Sequence, residues 1–332
     1  AEWAAALGRG AGEAGLETVD LVAYRNVRRN NADLPATAQL VTPDALPSDA
    51  DGLKGQELPF EEVFRRYQIL LAPTQLSATA PLKLAARQHG FRAATMGGFT
   101  AGMVPALRLD YREIDQRCRR LKDLLDRAIS ATIRTWAAGR PHELRLDLRH
   151  RKATASGGLF PNPGMAGNLP SGETYIVPYE GENDGEPSLT EGELPLELDG
   201  ELMVYRIERN RVVAVVGDGP RARAEHKEIH DEPAYANVAE LGLGLLADYG
   251  VEPVGTLLLD EKLGLHVAFG RSDHFGGQVG AADFTAPEKV VHIDRVYIPQ
   301  VQPSIEVRSV DLELEESVGE PLMRDGRYVP GI

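Results

Sequence analysis

Carboxylate and imidazole side chains interrupt two apolar runs in the last third of the sequence. Glu261 precedes the first run and His266 lies within it, while His292 and Asp294 lie within the second. A charged side chain in an apolar run is costly to bury unless a partner compensates for it, and a bound metal cation is the simplest such partner. The residue types and their positions therefore predict a metal site.

His292 and Asp294 are two residues apart in a strand-like segment. Because side chains on a strand alternate with a period of two, both are expected on the same face, where they can bind one ion together. The residues around them are apolar on both faces, as in a buried strand: Val290, Val291, Ile293 and Val296. One such pair is weak evidence by itself, so the rest of the chain has to supply further ligands.

Further acidic motifs precede these runs. The sequence contains Asn-Leu-Pro-Ser-Gly-Glu at 168–173, Ala-Glu-Leu-Gly at 239–242, Asp-Glu at 260–261, His-Val-Ala-Phe-Gly at 266–270 and His-Ile-Asp at 292–294. Together these motifs resemble the thermophilic metallo-aminopeptidase family, the aminopeptidase T or leucyl aminopeptidase-like group. The resemblance covers roughly residues 155–300 and implies two divalent metals held by six residues: Glu173, Glu240, Glu261, His266, His292 and Asp294.

The charges of these six residues support a metal centre independently of the resemblance. Four ionised carboxylates carry four negative charges, which two divalent cations would balance, and two neutral imidazoles add softer ligands. Without metal, mutual repulsion would raise some carboxylate pKa values or open the site. Two metals about 3.5 to 4 Å apart can lower the pKa of a bridging water and polarise a substrate carbonyl, as amide hydrolysis requires. The set suits zinc, cobalt or manganese alike.

The loop between the two runs, residues 270–280, is expected at the mouth of the site. The family usually has an alanine-tyrosine pair here, the tyrosine being a candidate catalytic residue, whereas this chain has Ser272 and Asp273. We assign substrate polarisation to His274 or Arg271 and binding of a substrate ammonium group to Asp273, with Glu173 as a further catalytic residue. A polar loop that faces water is the open alternative. Lys262 is expected either to neutralise carboxylate charge or to face solvent.

The leading functional prediction is a two-metal hydrolase that resembles an aminopeptidase and removes amino-terminal residues from a peptide or small aminoacyl substrate. A ring-cleaving dioxygenase of the dihydroxypyridine type, which looks related and uses a single iron, is the first alternative. The retained glutamates disfavour it, because a mononuclear iron site needs only about two histidines and one carboxylate. A metal-stabilised binding protein without activity is the second alternative.

The order of the predicted helices and strands that position these residues indicates an α/β fold, α+β overall. Residues 67–72, 79–89 and 91–96 form a β-α-β pattern, which predicts a partly parallel sheet in an amino-terminal α/β domain, residues 1–154. A change to Gly, Pro and Asn marks the start of a mixed-sheet, metal-binding catalytic domain, residues 155–332. Apolar spacing predicts a helix over 110–136, with Cys118 buried on it, and a second helix over 234–249 that carries Glu240.

The composition of the chain argues against several classes of binding partner. The 332-residue chain has a formal net charge of −14, which opposes binding to nucleic acid or to an anionic membrane surface. Its single cysteine excludes an intramolecular disulfide, and the sequence shows no targeting or spanning segment, so we expect a cytoplasmic protein. A homodimer is the expected assembly. The chain starts at Ala1 rather than methionine, which is consistent with a truncated first domain.

Overall fold

The computed structural model of the protein describes residues 2–16, 18–25, 28, 30, 33–42, 52–53, 55–315 and 317–332. The chain forms two units, each made of two segments: Ala1–Arg108 with Gly158–Ser171, and Leu109–Gly157 with Gly172–Ile332. This division differs from the predicted domains 1–154 and 155–332. Residues 109–157 belong with the later strands because long-range strand pairing, which composition does not reveal, ties them to residues 306–314.

The secondary structure combines short helices with many strands. The α-helices in the described residues are α1 (Glu2–Glu13), α2 (Phe60–Arg66), α3 (Thr79–His89), α4 (Val104–Leu107), α5 (Tyr111–Leu125), α6 (Pro220–Asp231) and α7 (Leu257–Asp260). The strands there are β1 (Leu21–Ala23), β2 (Thr37–Val41), β3 (Gln56–Pro59), β4 (Ile69–Ala72), β5 (Arg92–Thr95), β6 (Ala128–Ala137), β7 (Arg140–Asp147), β8 (Thr154–Ser156), β9 (Ala166–Asn168), β10 (Glu173–Ile176), β11 (Glu191–Leu198), β12 (Glu201–Glu208), β13 (Arg211–Val216), β14 (Val238–Gly244), β15 (Leu265–Gly270), β16 (His292–Val296), β17 (Glu306–Leu314), β18 (Ser317–Arg324) and β19 (Arg327–Tyr328). Within the described ranges, no helix is long and apolar enough to cross a membrane.

The first unit contains the predicted parallel sheet. Strands β4, β5 and β9 pair in parallel, and α3 connects β4 to β5. Helix α3 ends at Gly90, whose φ of 78° lies in the left-handed region that glycine adopts without steric cost. The ring of Phe64 in α2 stacks on that of Phe91, with centroids 5.1 Å apart. A second sheet, β1-β2-β3, is antiparallel.

The second unit contains two antiparallel sheets. Eight strands follow the order β13-β12-β11-β7-β6-β17-β18-β19, and five follow the order β16-β15-β14-β10-β8. The predicted fold class, a mixture of helices with parallel and antiparallel sheets, is confirmed.

The helix predicted over 110–136 is wrong in its second half. Helix α5 begins after Asp110, whose carboxylate accepts a hydrogen bond from the backbone N–H of Arg112 (2.9 Å), and it ends at Leu125. Residues 128–137 form β6, a long strand that pairs with both β7 and β17. The apolar residues Ile129 and Ile133 fit helical spacing, but this segment is rich in β-branched residues, which favour a strand.

Helix α5 packs on the five-stranded sheet, on the strands β8 and β10. The hydroxyl of Thr174 in β10 donates to the backbone carbonyl of Cys118 (2.8 Å). Cys118 is fully buried as predicted, and burial raises the pKa of its thiol to about 12. Because neighbouring residues on a strand point to opposite faces, Glu173 and Tyr175 point away from this helix.

The helix predicted over 234–249 is also wrong, because residues 238–244 form strand β14. All seven residues of β14 are buried, and the strand lies between β10 and β15. A fully buried central strand reads as a continuous apolar run rather than an alternating one, so periodicity does not separate it from a buried helix. Gly242 and Gly244 also disfavour a helix.

The packing of α5 can be tested with Leu121→Ala. Leu121 is fully buried, so the change should lower the free energy of unfolding by about 2 to 5 kcal/mol through lost burial and the cavity left behind. Arg120→Ala, on the exposed side of the same helix, should change it by less than about 0.5 kcal/mol. Chemical denaturation followed by circular dichroism measures both, and equal effects would contradict this packing.

Candidate metal centre

One face of the five-stranded sheet carries five of the six predicted ligands: Glu173, Glu240, His266, His292 and Asp294. Directly paired residues of antiparallel strands point to the same face. Glu240 pairs with Ala268, which pairs in turn with Asp294, so the two carboxylates flank a small residue in one row. His266 pairs with Gly242 in the next row. The strand register therefore gathers ligands that lie as much as 121 residues apart in sequence, from position 173 to position 294.

Glycine makes room for the ligands on this face. A Cβ atom on Gly242 would lie 1.8 Å from Nε2 of His266, and one on Gly244 would lie 2.2 Å from the carbonyl carbon of Lys262. Both distances are far below van der Waals contact. The imidazole of His266 therefore occupies space that any side chain at 242 would fill.

The ligand atoms form two groups that share Glu240. Glu173, Glu240 and His266 make the inner group, and Glu240, His292 and Asp294 make the outer group; within each, the ligand atoms lie within 4.8 Å of one another. Oε1 of Glu240 is 3.2 Å from Nε2 of His266, and Oε2 is 3.2 Å from Nε2 of His292. The carboxylate of Glu240 thus presents one oxygen to each group.

Backbone carbonyls orient both imidazoles. Nδ1 of His292 lies 2.7 Å from the carbonyl of Arg271, and Nδ1 of His266 lies 3.3 Å from that of Gly264. A carbonyl oxygen only accepts, so Nδ1 donates in each case. Nε2 then faces the carboxylates, which is the arrangement that metal-binding histidines usually adopt.

A carboxylate oxygen without a hydrogen bond shows that this donor set fits a cation. Oε2 of Glu173 is buried and forms no hydrogen bond with the residues that the structure describes. It lies 3.7 Å from Nε2 of His266. That contact is too long for a hydrogen bond. A buried carboxylate oxygen without a hydrogen bond is costly, and a divalent cation bound by carboxylate and imidazole would satisfy it. The residues of both groups therefore fit divalent metal ions.

Protons compensate the negative charge in the absence of an ion. Burial alone would lower the pKa of His266, but the hydrogen bond to Glu240 and the nearby carboxylates outweigh burial and raise it to about 9. Burial would likewise lower the pKa of His292, yet the charge of Asp294 and the bond to Glu240 hold it well above its usual value. The two histidines in turn outweigh burial and lower the pKa of Glu240. An arriving cation must therefore displace protons from both imidazoles.

Glu261, the sixth predicted ligand, is held by Lys262 and belongs to neither group of three. The Lys262 side chain is only 1% exposed, and its Nζ donates to Oε1 of Glu173 (2.5 Å) and to Oε1 of Glu261. Burial raises the pKa of Glu261 to about 8, and the two carboxylates outweigh burial to raise that of Lys262. Lys262 thus neutralises carboxylate charge rather than facing solvent, while a ligand role for Glu261 stays a prediction.

The predicted catalytic residues of the loop contact one another, because Asp273 binds Arg271 and its Oδ1 also lies 3.5 Å from Nδ1 of His274. Nε of Arg271 donates to Oδ1 of Asp273 (2.5 Å), and both side chains are about one third exposed. The ring of His274 packs on Phe275 (3.9 Å between centroids) and meets His292 edge-on at 5.3 Å. Burial lowers the pKa of His274 to about 4, so its imidazole is neutral at pH 7. His274 therefore contacts His292 of the outer group on one side and Asp273, which binds Arg271, on the other.

Glu180 organises this loop, and sequence reasoning missed it. Its Oε1 accepts hydrogen bonds from Ser272 Oγ (2.6 Å) and Asn237 Nδ2 (2.7 Å), and its Oε2 accepts one from the backbone N–H of Gln278. The loop is closed further by the backbone N–H of Ser272, which donates to the carbonyl of Val279. Because these partners are more than 50 residues away in sequence, no local pattern could have revealed the role of Glu180.

Tyr175 is a second residue that the sequence analysis did not single out. It pairs with Gly242, so it shares the ligand face, and its buried ring lies 4.6 Å from that of Phe275. Burial, followed by the charges of Glu240 and Glu173, raises the pKa of its phenol. The sequence could have placed Tyr175 on the ligand face, because a residue two positions after Glu173 on a strand must point to the same face.

Comparisons with known proteins give a likeness of fold. No family model and no curated protein matches the sequence. A 2,5-dihydroxypyridine dioxygenase from Pseudomonas putida KT2440 aligns with a TM-score of 0.57 and 15% identity, over 81% of this chain and 74% of that one. AmpT from Thermus thermophilus aligns with a TM-score of 0.45 and 20% identity, over 66% of this chain and 55% of that one. The chain thus spans little more than half of AmpT, and its resemblance to these proteins is distant.

Gly242→Ala tests the space for His266. The added methyl group should displace the imidazole and weaken divalent-ion binding at the inner group by about 10- to 100-fold, as supporting changes around metal sites do. Gly10→Ala, where a Cβ meets nothing within 4 Å, is the matched control and should leave ion binding unchanged. Calorimetric titration with Zn²⁺ measures the affinities, and unweakened binding by folded Gly242→Ala protein would show that His266 is not a ligand.

Ion affinity should depend on pH in a defined direction. Below a pH of about 9 the His266 imidazole is protonated, so a cation must release that proton to bind. The apparent affinity should therefore rise steadily from pH 6 to pH 8.5, and proton release should appear as a dependence of binding enthalpy on the buffer. His230→Gln, at an exposed histidine of α6, should not alter this dependence. Affinity that is constant over this range would contradict the assignment.

Proposed function

We propose that this protein is a metal-dependent enzyme, and specifically a two-metal hydrolase of the aminopeptidase type. The observation that carries the proposal is the shared carboxylate of Glu240, which faces an imidazole of each ligand group at 3.2 Å. Two ions bound to one carboxylate are brought close enough to act on a single substrate group. The combination of a third ligand in each group, Glu173 on one side and Asp294 on the other, favours two ions over one.

The chemistry proposed for the bound ions is hydrolysis of an amide bond. When bound, two cations would activate a water molecule and polarise a carbonyl group. The inner and outer groups would hold them, with Glu261 as the predicted sixth ligand. Zinc, cobalt and manganese all suit this mixture of carboxylates and imidazoles.

Substrate would approach from the side of the outer group. The side chain of His292 is 15% exposed, against 1% for His266, so the outer group is the accessible one. The neutral imidazole of His274 lies beside it and is available to exchange a proton with a reacting group. In this proposal the His274 ring also limits the room for the substrate next to the centre.

A free amino terminus is the proposed recognition element of the substrate. Burial alone would raise the pKa of Asp273, but Arg271 outweighs it and lowers the pKa, so that Asp273 is ionised at pH 7. Its carboxylate is partly exposed at the edge of the site and would bind a substrate ammonium group in place of Arg271. The proposed substrate is accordingly a peptide or a small aminoacyl compound.

A mononuclear iron dioxygenase is the second candidate function. Nε2 of both His266 and His292 lies 3.2 Å from Glu240, so two imidazoles and one carboxylate converge as that chemistry requires. The likeness of fold to a dioxygenase is compatible with this candidate. It does not explain why Oε2 of Glu173 is buried without a hydrogen bond, and it predicts one iron per chain.

Metal analysis with Glu240→Gln tests the proposal. Wild-type protein reconstituted with Zn²⁺, Co²⁺ or Mn²⁺ should hold two ions per chain and hydrolyse aminoacyl p-nitroanilides. Glu240→Gln removes the shared ligand and should lower both the ion content and kcat/KM, the latter by at least about 100-fold. Glu228→Gln removes the same charge from an exposed position of α6 and serves as the control.

Two outcomes would contradict the hydrolase. One iron per chain with oxygen consumption on a dihydroxypyridine would favour the dioxygenase. Protein that binds two ions but hydrolyses no member of a broad panel of peptides and aminoacyl anilides would instead be a metal-binding protein without this activity.

A further inference from the structure

Lys262 places a permanent positive charge inside the metal centre. Its Nζ bonds Oε1 of Glu173 at 2.5 Å and also bonds Oε1 of Glu261. The side chain is 1% exposed, so water does little to screen its charge. The ammonium group therefore acts on its surroundings as a third cation built into the protein.

The two ligand groups differ in their relation to this charge. In the inner group, Oε1 of Glu173 already accepts a hydrogen bond from Lys262, and Oε2 is the oxygen of Glu173 without a hydrogen bond. The three residues of the outer group form no hydrogen bond or ion pair with Lys262 among the described contacts. Arg295, which neighbours Asp294 in β16, bonds Glu225 instead (2.9 Å). The Lys262 ammonium group should therefore repel an ion in the inner group more strongly than one in the outer group.

We propose that Lys262 makes the two ion positions unequal, with one ion held tightly by the outer group and a second held weakly by the inner group. This inference rests on the proposed function, since it concerns the same centre. The ammonium group repels the inner ion and competes with it for Glu173. Like charges a few ångströms apart in a poorly screened interior interact strongly, so the effect on affinity is large.

The charge balance of the centre agrees with a stable one-ion state. Glu173, Glu240, Glu261 and Asp294 can carry four negative charges. One divalent ion together with Lys262 supplies three positive charges and leaves a net charge of −1, whereas a second divalent ion brings the net charge to +1. Lys262 therefore makes the second ion the less favourable one to bind. Occupation of the inner group would then follow the supply of free metal, and this occupation would regulate a reaction that needs both ions.

Titration of the full-length, metal-free protein with Co²⁺ tests this inference. Calorimetry and the visible absorption of Co²⁺ should resolve two steps whose Kd values differ by about 100-fold or more. In Lys262→Met the weaker step should tighten by at least about tenfold, while the tighter step stays within about threefold. Lys262→Arg keeps the charge and should keep two unequal steps. Lys227→Met, at a residue 74% exposed on α6, is the matched control for loss of a positive charge.

A second pair of variants keeps the test valid if Lys262→Met does not fold. The double variant Lys262→Met/Glu261→Gln removes the ammonium group together with one carboxylate that it neutralises. It should bind the second ion at least about tenfold more tightly than Glu261→Gln alone, which retains Lys262.

The outcomes separate this inference from the proposed function. Two steps of equal affinity in the wild-type protein, or a weaker step that does not move when Lys262 is removed, would overturn the inference and leave the two-ion centre intact. Wild-type protein that binds no ion in either step would overturn the proposed function, and the inference with it.

Discussion

The centre depends on one constraint, which is the concentration of like charge on a buried sheet face. Glu173, Glu240 and Asp294 project from three strands of one antiparallel sheet, where burial would otherwise disfavour their ionised forms. In the protein as described, positive charge compensates them: protonated imidazoles lie beside Glu240, and the Lys262 ammonium group lies beside Glu173. The arrangement is stable only with cations present, whether these are protons, lysine or metal ions.

The sheet provides the geometry that this charge requires. Antiparallel pairing fixes Glu240, Ala268 and Asp294 in one row, and small residues in the neighbouring rows leave space above the backbone. Helix α5 packs on the opposite face, so it does not compete with the ligand side chains for space. Glu180 then ties down the loop of residues 271–280 next to the outer group. The supports are thus strand register, helix packing and the Glu180 carboxylate, which binds the loop from outside it.

The sequence predicted which residues form the site better than it predicted the helices and strands that carry them. Period-two alternation correctly placed His292 and Asp294 on one face, and the motifs identified Glu173, Glu240 and His266, which the structure brings together. Their assignment as metal ligands stays a prediction.

The secondary structure around the site was harder to predict, because strand pairing depends on contacts between residues far apart in sequence. The helix predicted around Glu240 is strand β14, since a fully buried strand has no alternation to reveal it. Residues 128–137 pair with a strand more than 160 positions later in the chain, which spacing alone cannot show. Glu180 was missed for the same reason, whereas Tyr175 followed from strand geometry and could have been found.

The most direct test of the central claim is anomalous X-ray diffraction from crystals of the protein soaked in excess Mn²⁺ or Co²⁺. The account predicts two anomalous peaks, one on each side of the Glu240 carboxylate, the inner peak within reach of Oε2 of Glu173 and the outer peak beside His292 and Asp294. A single peak, or peaks away from Glu240 altogether, would contradict a two-ion centre built on a shared carboxylate.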